Sequence, residues 1–117
     1  MPIWNDQTPI YVQLKSHLVN MMLDGLIKPL EALPSVRQIA SEYQINPITV
    51  SRAYQELVDE NLIEKRRGLG MYMNELAREQ LIKTEQNRFL NIEWPAIQAK
   101  LKRLNIDPST LLKGDAL

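Results

Sequence analysis

The chain has no cysteine, a single histidine and four glycines among its 117 residues. Without thiols there is no disulfide frame, zinc ribbon or thiol nucleophile, and a reducing compartment fits best. His17 is the only imidazole and lies inside an amphipathic segment. No Ser-His-Asp arrangement can be drawn around it, and no soft-ligand cluster accompanies it to hold a metal. A glycine-rich phosphate cradle is also missing. Carboxylate pairs such as Asp59 and Glu60 lie at a helix end with no apolar pocket to perturb them. An enzyme is therefore not expected, nor is a cofactor or a metal. No apolar run approaches the length of about 18 residues needed for a membrane span. Met1-Pro2-Ile3-Trp4-Asn5-Asp6 has neither a cationic n-region nor an apolar h-region, so the expectation is a cytoplasmic chain without membrane association. An excess of either charge is lacking too, with 14 Lys and Arg against 14 Asp and Glu. A nucleic-acid binder usually carries a basic excess, so the placement of the charges decides more than their sum.

A hydrophobic content of 44% is ordinary for a folded protein. Thr8-Pro9 offers a hydroxyl N-cap and a proline at the first helical position, and Ile10, Leu14, Leu18, Met21 and Met22 recur at helical spacing as far as Gly25. Lys28-Pro29 and Leu33-Pro34 then punctuate a connection that can hold a short extended piece but no helix. Ser35-Val36-Arg37-Gln38 reads as a capping box opening a second helix, with Val36, Ile39, Ala40 and Tyr43 inward. Only Gln44 and Ile45 intervene before Asn46-Pro47, an N-cap followed by a first-position proline. The third helix buries Val50, Ala53, Tyr54 and Leu57, and Ile45 with Val50 forms a hydrophobic staple at its entry. Two capped helices joined by so short a turn predict a helix-turn-helix.

Leu62 to Arg67, then Gly68-Leu69-Gly70, then Met71-Tyr72-Met73 read as a β-hairpin with Lys65, Arg66 and Arg67 at its tip. Beyond Asn74 the composition is helical. One helix is expected over about Glu75 to Asn91, with Leu81, Ile82, Phe89 and Ile92 apolar. A second starts at Pro95, with Trp94, Ile97, Leu101 and Leu104 in a narrow stripe, and Asp107-Pro108-Ser109 caps a last short turn.

The order of helix, short strand, helix, turn, helix and hairpin is that of a winged helix. Pro9-Ile10-Tyr11-Val12-Gln13-Leu14, Leu33-Pro34-Ser35-Val36-Arg37-Gln38-Ile39-Ala40, Asn46 to Leu57, and the run Leu62 to Gly70 together resemble the GntR family of transcriptional regulators. The Asn-Pro start of the third helix and the short tail are similar to the YtrA-like subfamily. Two departures stand out. Pro29-Leu30-Glu31 replaces the family's Pro-Gly-Asp turn, and Ile48 occupies a position that is commonly polar. The fold class expected is mainly α with a small β-hairpin. The resemblance implies that residues 1–74 form a winged helix-turn-helix DNA-binding domain, and residues 75–117 a short helical region for dimerisation and for any effector.

The resemblance implies a sequence-specific DNA-binding regulator, a repressor acting as a homodimer on an inverted-repeat operator in double-stranded DNA. It further implies control of its own operon and a linked transporter, and leaves room for an unidentified small-molecule effector. The alternative is a winged-helix protein-interaction module that uses the hairpin as a docking edge. A recognition helix meets the major groove through its N-terminal part, where free N–H groups and the positive dipole end face phosphates. The expected DNA-contacting residues are Ser35, Arg37, Asn46, Pro47, Ile48, Thr49, Ser51, Arg52, Lys65, Arg66, Arg67, Gly68 and Gly70. Of these, Arg37, Thr49, Ser51 and Arg52 are carried over by resemblance, and Ile48 suits a thymine methyl. Glu56, Asp59, Glu60 and Glu64 must then face away from DNA. So short a tail cannot cover its narrow apolar stripe alone, which assigns Phe89, Trp94, Ile97, Leu101 and Leu104 to dimerisation.

Overall fold

The structure is a computed structural model and describes residues 4–113. It divides into two compact units, Met1–Ile82 and Lys83–Leu117. In the first unit, α1 (Ile10–Leu23) buries Leu14, Leu18 and Met22 at the four-residue spacing of one helix face. Its N-cap is Pro9 rather than Thr8, with no side-chain cap. Pro9 stands in an extended conformation (φ −55°, ψ 145°), so the helix begins one residue later than the proline signal suggests. Gln13 reaches back instead: its Oε1 accepts from the Asn5 N–H at 2.9 Å and its Nε2 donates to the Thr8 carbonyl at 2.8 Å. At the other end Gly25 takes φ +80°, while the Leu26 N–H bonds the Met21 carbonyl and the Gly25 N–H that of Met22, a Schellman closure.

The capping box of α2 (Val36–Tyr43) forms as the sequence predicts. The Gln38 N–H donates to Ser35 Oγ at 3.0 Å, and the Ser35 N–H donates to Gln38 Oε1 at 2.8 Å. After a turn through left-handed Gln44, α3 (Pro47–Asp59) starts on Asn46, whose Oδ1 accepts from the Ile48 N–H. It buries the four expected residues, Val50, Ala53, Tyr54 and Leu57, against α1 and α2. Tyr54 is 1% exposed and its O–H donates to the Pro34 carbonyl, joining the body of α3 to the entry of α2. Burial pushes this phenol well above the ordinary tyrosine range.

Strands β1 (Ile63–Arg66) and β2 (Gly70–Met73) pair antiparallel, with Ile63 opposite Met73 and Arg66 opposite Gly70. The connection predicted to hold a short extended piece supplies a third rung: Ala32 bridges Tyr72, and the Leu33 N–H donates to the Met71 carbonyl at 2.8 Å. Leu30, where the resembling family has glycine, sits at φ +68°. This backbone keeps the left-handed turn although the residue that prefers it is absent. Glu31 holds that turn, its Oε1 accepting from the Lys28 N–H at 2.9 Å.

The first unit reaches Ile82, since the start of α4 (Ala77–Arg88) belongs to its core. Ala77 and Leu81 are buried with the residues of α1 to α3, and the Arg78 guanidinium donates to the Leu23 carbonyl. Asn74 is fastened as well, through its N–H to the Leu62 carbonyl.

In the second unit the expected helix over Glu75 to Asn91 is shorter, α4 ending at Arg88, and a π-helical turn over Phe89–Glu93 leads into α5 (Trp94–Arg103). Pro95 has no N–H to donate and its ring crowds the carbonyl four residues back, so the ladder widens ahead of it, with the Trp94 N–H reaching the Phe89 carbonyl. Of the apolar positions expected along this helix, Leu81 is buried while Phe89 and Ile92 are exposed. A short α6 (Pro108–Leu111) follows, capped by Asp107, whose carboxylate accepts from the Ser109 N–H and is held below the usual aspartate range by that bond.

Candidate nucleic-acid interface

The N-terminal end of α3 is open. Asn46, Pro47, Ile48, Ser51 and Arg52 are exposed and Thr49 is half-buried, while the buried face of the helix points into the core. Ile48 is 77% exposed, an apolar side chain held out with nothing of its own chain to cover it. Asn46 spends its carbonyl oxygen on the helix cap and keeps its amide NH2 to donate. Ser35 spends an acceptor lone pair in the same way and keeps its O–H. Arg37 is exposed in the first turn of α2 and borders the same surface depression of about 600 Å³ as Pro47, together with Val36, Ala40, Ser41 and Ile45. The helix-turn-helix thus brings Arg37 and the start of α3 to one site.

The wing differs from the expectation of three consecutive cations at its tip. Only Arg67 lies in the three-residue turn, with Gly68 at φ +76° and Gly70 at φ +100° shaping it. Lys65 is exposed on β1. Arg66 is engaged: its guanidinium carbon lies 4.3 Å from the centre of the Tyr72 ring and its Nε is 3.2 Å from Glu64 Oε1. In the hairpin register Glu64 faces Tyr72 directly, and Arg66 shares the face of Glu64 two residues on.

The acids of the α3 end are all occupied within the unit. Lys15 of α1 pairs with Glu60 and, at 3.3 Å, with Glu56. Partial burial works to lower the Lys15 pKa, but hydrogen bonds and attraction from Glu60 and Glu56 outweigh it and hold the pKa above 10.5. Asp59 accepts from the Gln55 amide at 2.9 Å, and Glu64 holds Arg66. Arg37, Arg52, Lys65 and Arg67 have no carboxylate partner among the described residues. A neutral chain thereby presents uncompensated positive charge at the ends of α2 and α3 and on the wing.

Two aromatic partners were not predicted. Tyr11 of α1 lies beneath Arg52, 3.8 Å from its guanidinium carbon to the ring centre, and Tyr72 lies beneath Arg66. The hairpin register alone could have found the second, whereas the first joins residues 41 positions apart. Trp4, placed before α1 by sequence, packs edge-on against His17 and Tyr43, and His17 Nε2 is 3.2 Å from the Tyr43 hydroxyl.

Of the residues assigned to dimerisation, Leu101 is buried and Trp94 half-buried, stacked on Phe89 with ring centres 6.4 Å apart. Phe89, Ile97 and Leu104 are exposed. No helix among the described residues is long and apolar enough to cross a membrane.

Comparison with known proteins adds three findings. Residues 10–73 match the family described as bacterial regulatory proteins, gntR family. The HTH-type transcriptional repressor YtrA of Bacillus subtilis is 40% identical over 100 residues, covering 86% of this chain and 71% of that protein. Two solved structures share the fold over nearly the whole length. A GntR family transcriptional regulator from Listeria monocytogenes has a TM-score of 0.77 at 27% identity, covering 93% of this chain and 94% of the other. A transcriptional regulator from Oenococcus oeni has a TM-score of 0.76 at 28% identity, covering 95% and 90%.

Proposed function

The chain belongs to the GntR family of bacterial regulatory proteins and is a winged-helix DNA-binding transcriptional regulator, and from that premise we propose that it is a cytoplasmic repressor binding an inverted-repeat operator as a homodimer. The observation that carries this reading is the separation of charge in the first unit. Arg37, Arg52, Lys65 and Arg67 have no carboxylate partner among the described residues, while Glu56, Asp59, Glu60 and Glu64 are each engaged inside the unit.

On this reading the start of α3 enters the major groove. Ile48 contacts a thymine methyl, Arg52 a base edge or phosphate, and Thr49, Ser51 and the Asn46 amide supply further polar contacts beside Pro47. Arg37 and the Ser35 hydroxyl hold the backbone from α2. Lys65, Arg66 and Arg67 meet phosphate or the adjacent minor groove, and Gly68 and Gly70 let the wing backbone approach it. The Ile48 side chain has no hydrogen-bonding group and the α3 start bears one arginine, so part of the specificity comes from DNA shape. With zero net charge the non-specific affinity is weaker than that of a uniformly basic winged helix.

The pairing region lies in residues 75–117, which between 89 and 113 bury little of their own apolar surface. Leu101 is enclosed, whereas Phe89, Ile97 and Leu104 remain open, and these with Trp94 are the surface a second copy would cover. An unidentified small-molecule effector would bind where two such regions meet, and the controlled genes would include its own operon and a linked transporter.

Footprinting on the upstream region of its own gene, with sedimentation analysis of the complex, tests this. The expected result is protection of two half-sites about one helical turn apart by two protomers. Protection of a single half-site by one protomer would refute the homodimer reading.

A further inference from the structure

We propose that Tyr11 is the positioning residue of Arg52, its ring holding the only cation of α3 in a set orientation before DNA arrives. The inference rests on the reading of Arg52 as a DNA contact and names the device that presents it. Arg52 has a carboxylate within easy reach on its own helix, Glu56, one turn further on, and such pairs form readily on exposed helix surfaces. That pair is absent. Glu56 is taken by Lys15 at 3.3 Å, and Arg52 lies instead over Tyr11 at 3.8 Å. Tyr11 and Lys15 are themselves one turn apart on α1, so two neighbouring residues of one helix divide the tasks on the next. Lys15 withdraws the competing acid, and Tyr11 receives the guanidinium.

The consequence lies in what each contact leaves available. A carboxylate would use the guanidinium's N–H donors and cancel its charge, which is what phosphate or a guanine edge requires. A ring face attracts the cation through its quadrupole and uses none of those donors. Among the described residues Arg52 donates no hydrogen bond and pairs with no acid. Arg66 shows the contrast. It also lies over a tyrosine, but Glu64 holds its Nε at 3.2 Å. Tyr11 is half-buried and packed against the core cluster, so its ring is held in place beneath Arg52 by more than the cation. Pre-ordering a long side chain spares the complex the entropy of fixing it, and sets the bidentate fork at one angle.

The test is binding of the full-length chain to a duplex selected by the wild-type protein from a random pool, and to a scrambled duplex of equal composition, with thermal unfolding measured in parallel. Tyr11→Leu is expected to weaken binding to the selected duplex by roughly 3- to 10-fold, the cost of ordering one such side chain on binding. Tyr11→Phe, which keeps the ring, should restore wild-type affinity. In an Arg52→Ala background Tyr11→Leu should have no further effect. Wild-type binding by Tyr11→Leu while Arg52→Ala binds weakly would overturn the positioning role and leave Arg52 as a contact. An equal loss from Tyr11→Leu with and without Arg52 would overturn it too, showing a structural effect of α1. Wild-type binding by Arg52→Ala on both duplexes would remove the contact reading itself.

Discussion

Replacing Tyr54 by Phe should make the protein less stable at neutral pH and more stable in strong alkali. The hydroxyl is inside the first unit, with the residue 1% exposed, and donates to the Pro34 carbonyl. Deleting it leaves that carbonyl without its partner, at about 1 kcal/mol. Ionisation works in the other direction. Burial is the main reason, and the charge of Tyr43 a lesser one, that the Tyr54 phenol is raised far above its ordinary value of 10.0. The unfolded chain has no such protection and releases the proton near pH 10. Between these two values the unfolded state binds fewer protons than the native state, so stability falls as pH rises. The contribution is complete below pH 10 and is lost above it at about 1.4 kcal/mol per pH unit.

Phe carries no such dependence. The stability difference therefore begins at about 1 kcal/mol in favour of Tyr, vanishes near pH ~10.7 and reverses by about 1 kcal/mol at pH ~11.5. Urea unfolding of both proteins, followed by circular dichroism between pH 7 and pH ~11.5, measures it, and the other tyrosines and the lysines cancel in the difference. Curves that stay parallel to the end of that range would show that Tyr54 ionises as easily in the folded protein as outside it, and the inference from its burial would fail.

Glu64→Gln should tighten DNA binding and steepen the dependence of log affinity on log salt by about 0.9 per protomer, because Arg66 would no longer exchange an internal carboxylate for a phosphate. An unchanged slope in gel shifts at graded salt would place Arg66 outside the phosphate contacts. Leu30→Gly removes a left-handed strain of about 1–2 kcal/mol and restores about 0.4–1 kcal/mol of unfolded-chain entropy, so neutral to slightly raised stability is expected at this half-exposed site. A loss above about 1 kcal/mol in thermal unfolding would mean that the Leu30 side chain packs more than it strains. If the chain pairs as proposed, Ile97→Asp with Leu104→Asp, at positions 40% and 55% exposed, should convert dimers to monomers in light scattering while leaving the unfolding of the first unit unchanged. Persistence of the dimer would move pairing to another surface.

Legibility followed the range of the interaction. The capping box on Ser35, the Asn46-Pro47 start of α3 and its four buried positions depend on residues within four or five places of one another, and all appear where the spacing puts them. The Thr8 cap misled because a proline can stand at the N-cap itself, with Gln13 fastening the preceding turn from inside the helix. Pro95 was legible as a helix signal, but not as a π-helical turn inside a continuing helix, since the ladder's response to a missing N–H depends on its neighbours. That the start of α4 joins the core of the winged helix was not legible, because Ala77 and Leu81 meet that core only through long-range contacts.

By itself the sequence determined which segments are helical, where the helix-turn-helix turns and that a glycine-shaped hairpin follows, because caps, prolines and apolar periodicity act locally. Which charges face outward uncancelled was decided only by the tertiary structure. Packing α1 beside α3 gives Glu56 to Lys15 and Arg52 to Tyr11, and hairpin register gives Arg66 to Glu64 and Tyr72. Pairing of charges depends on their separation in space and takes no account of sequence distance, so a count of zero net charge could not reveal it.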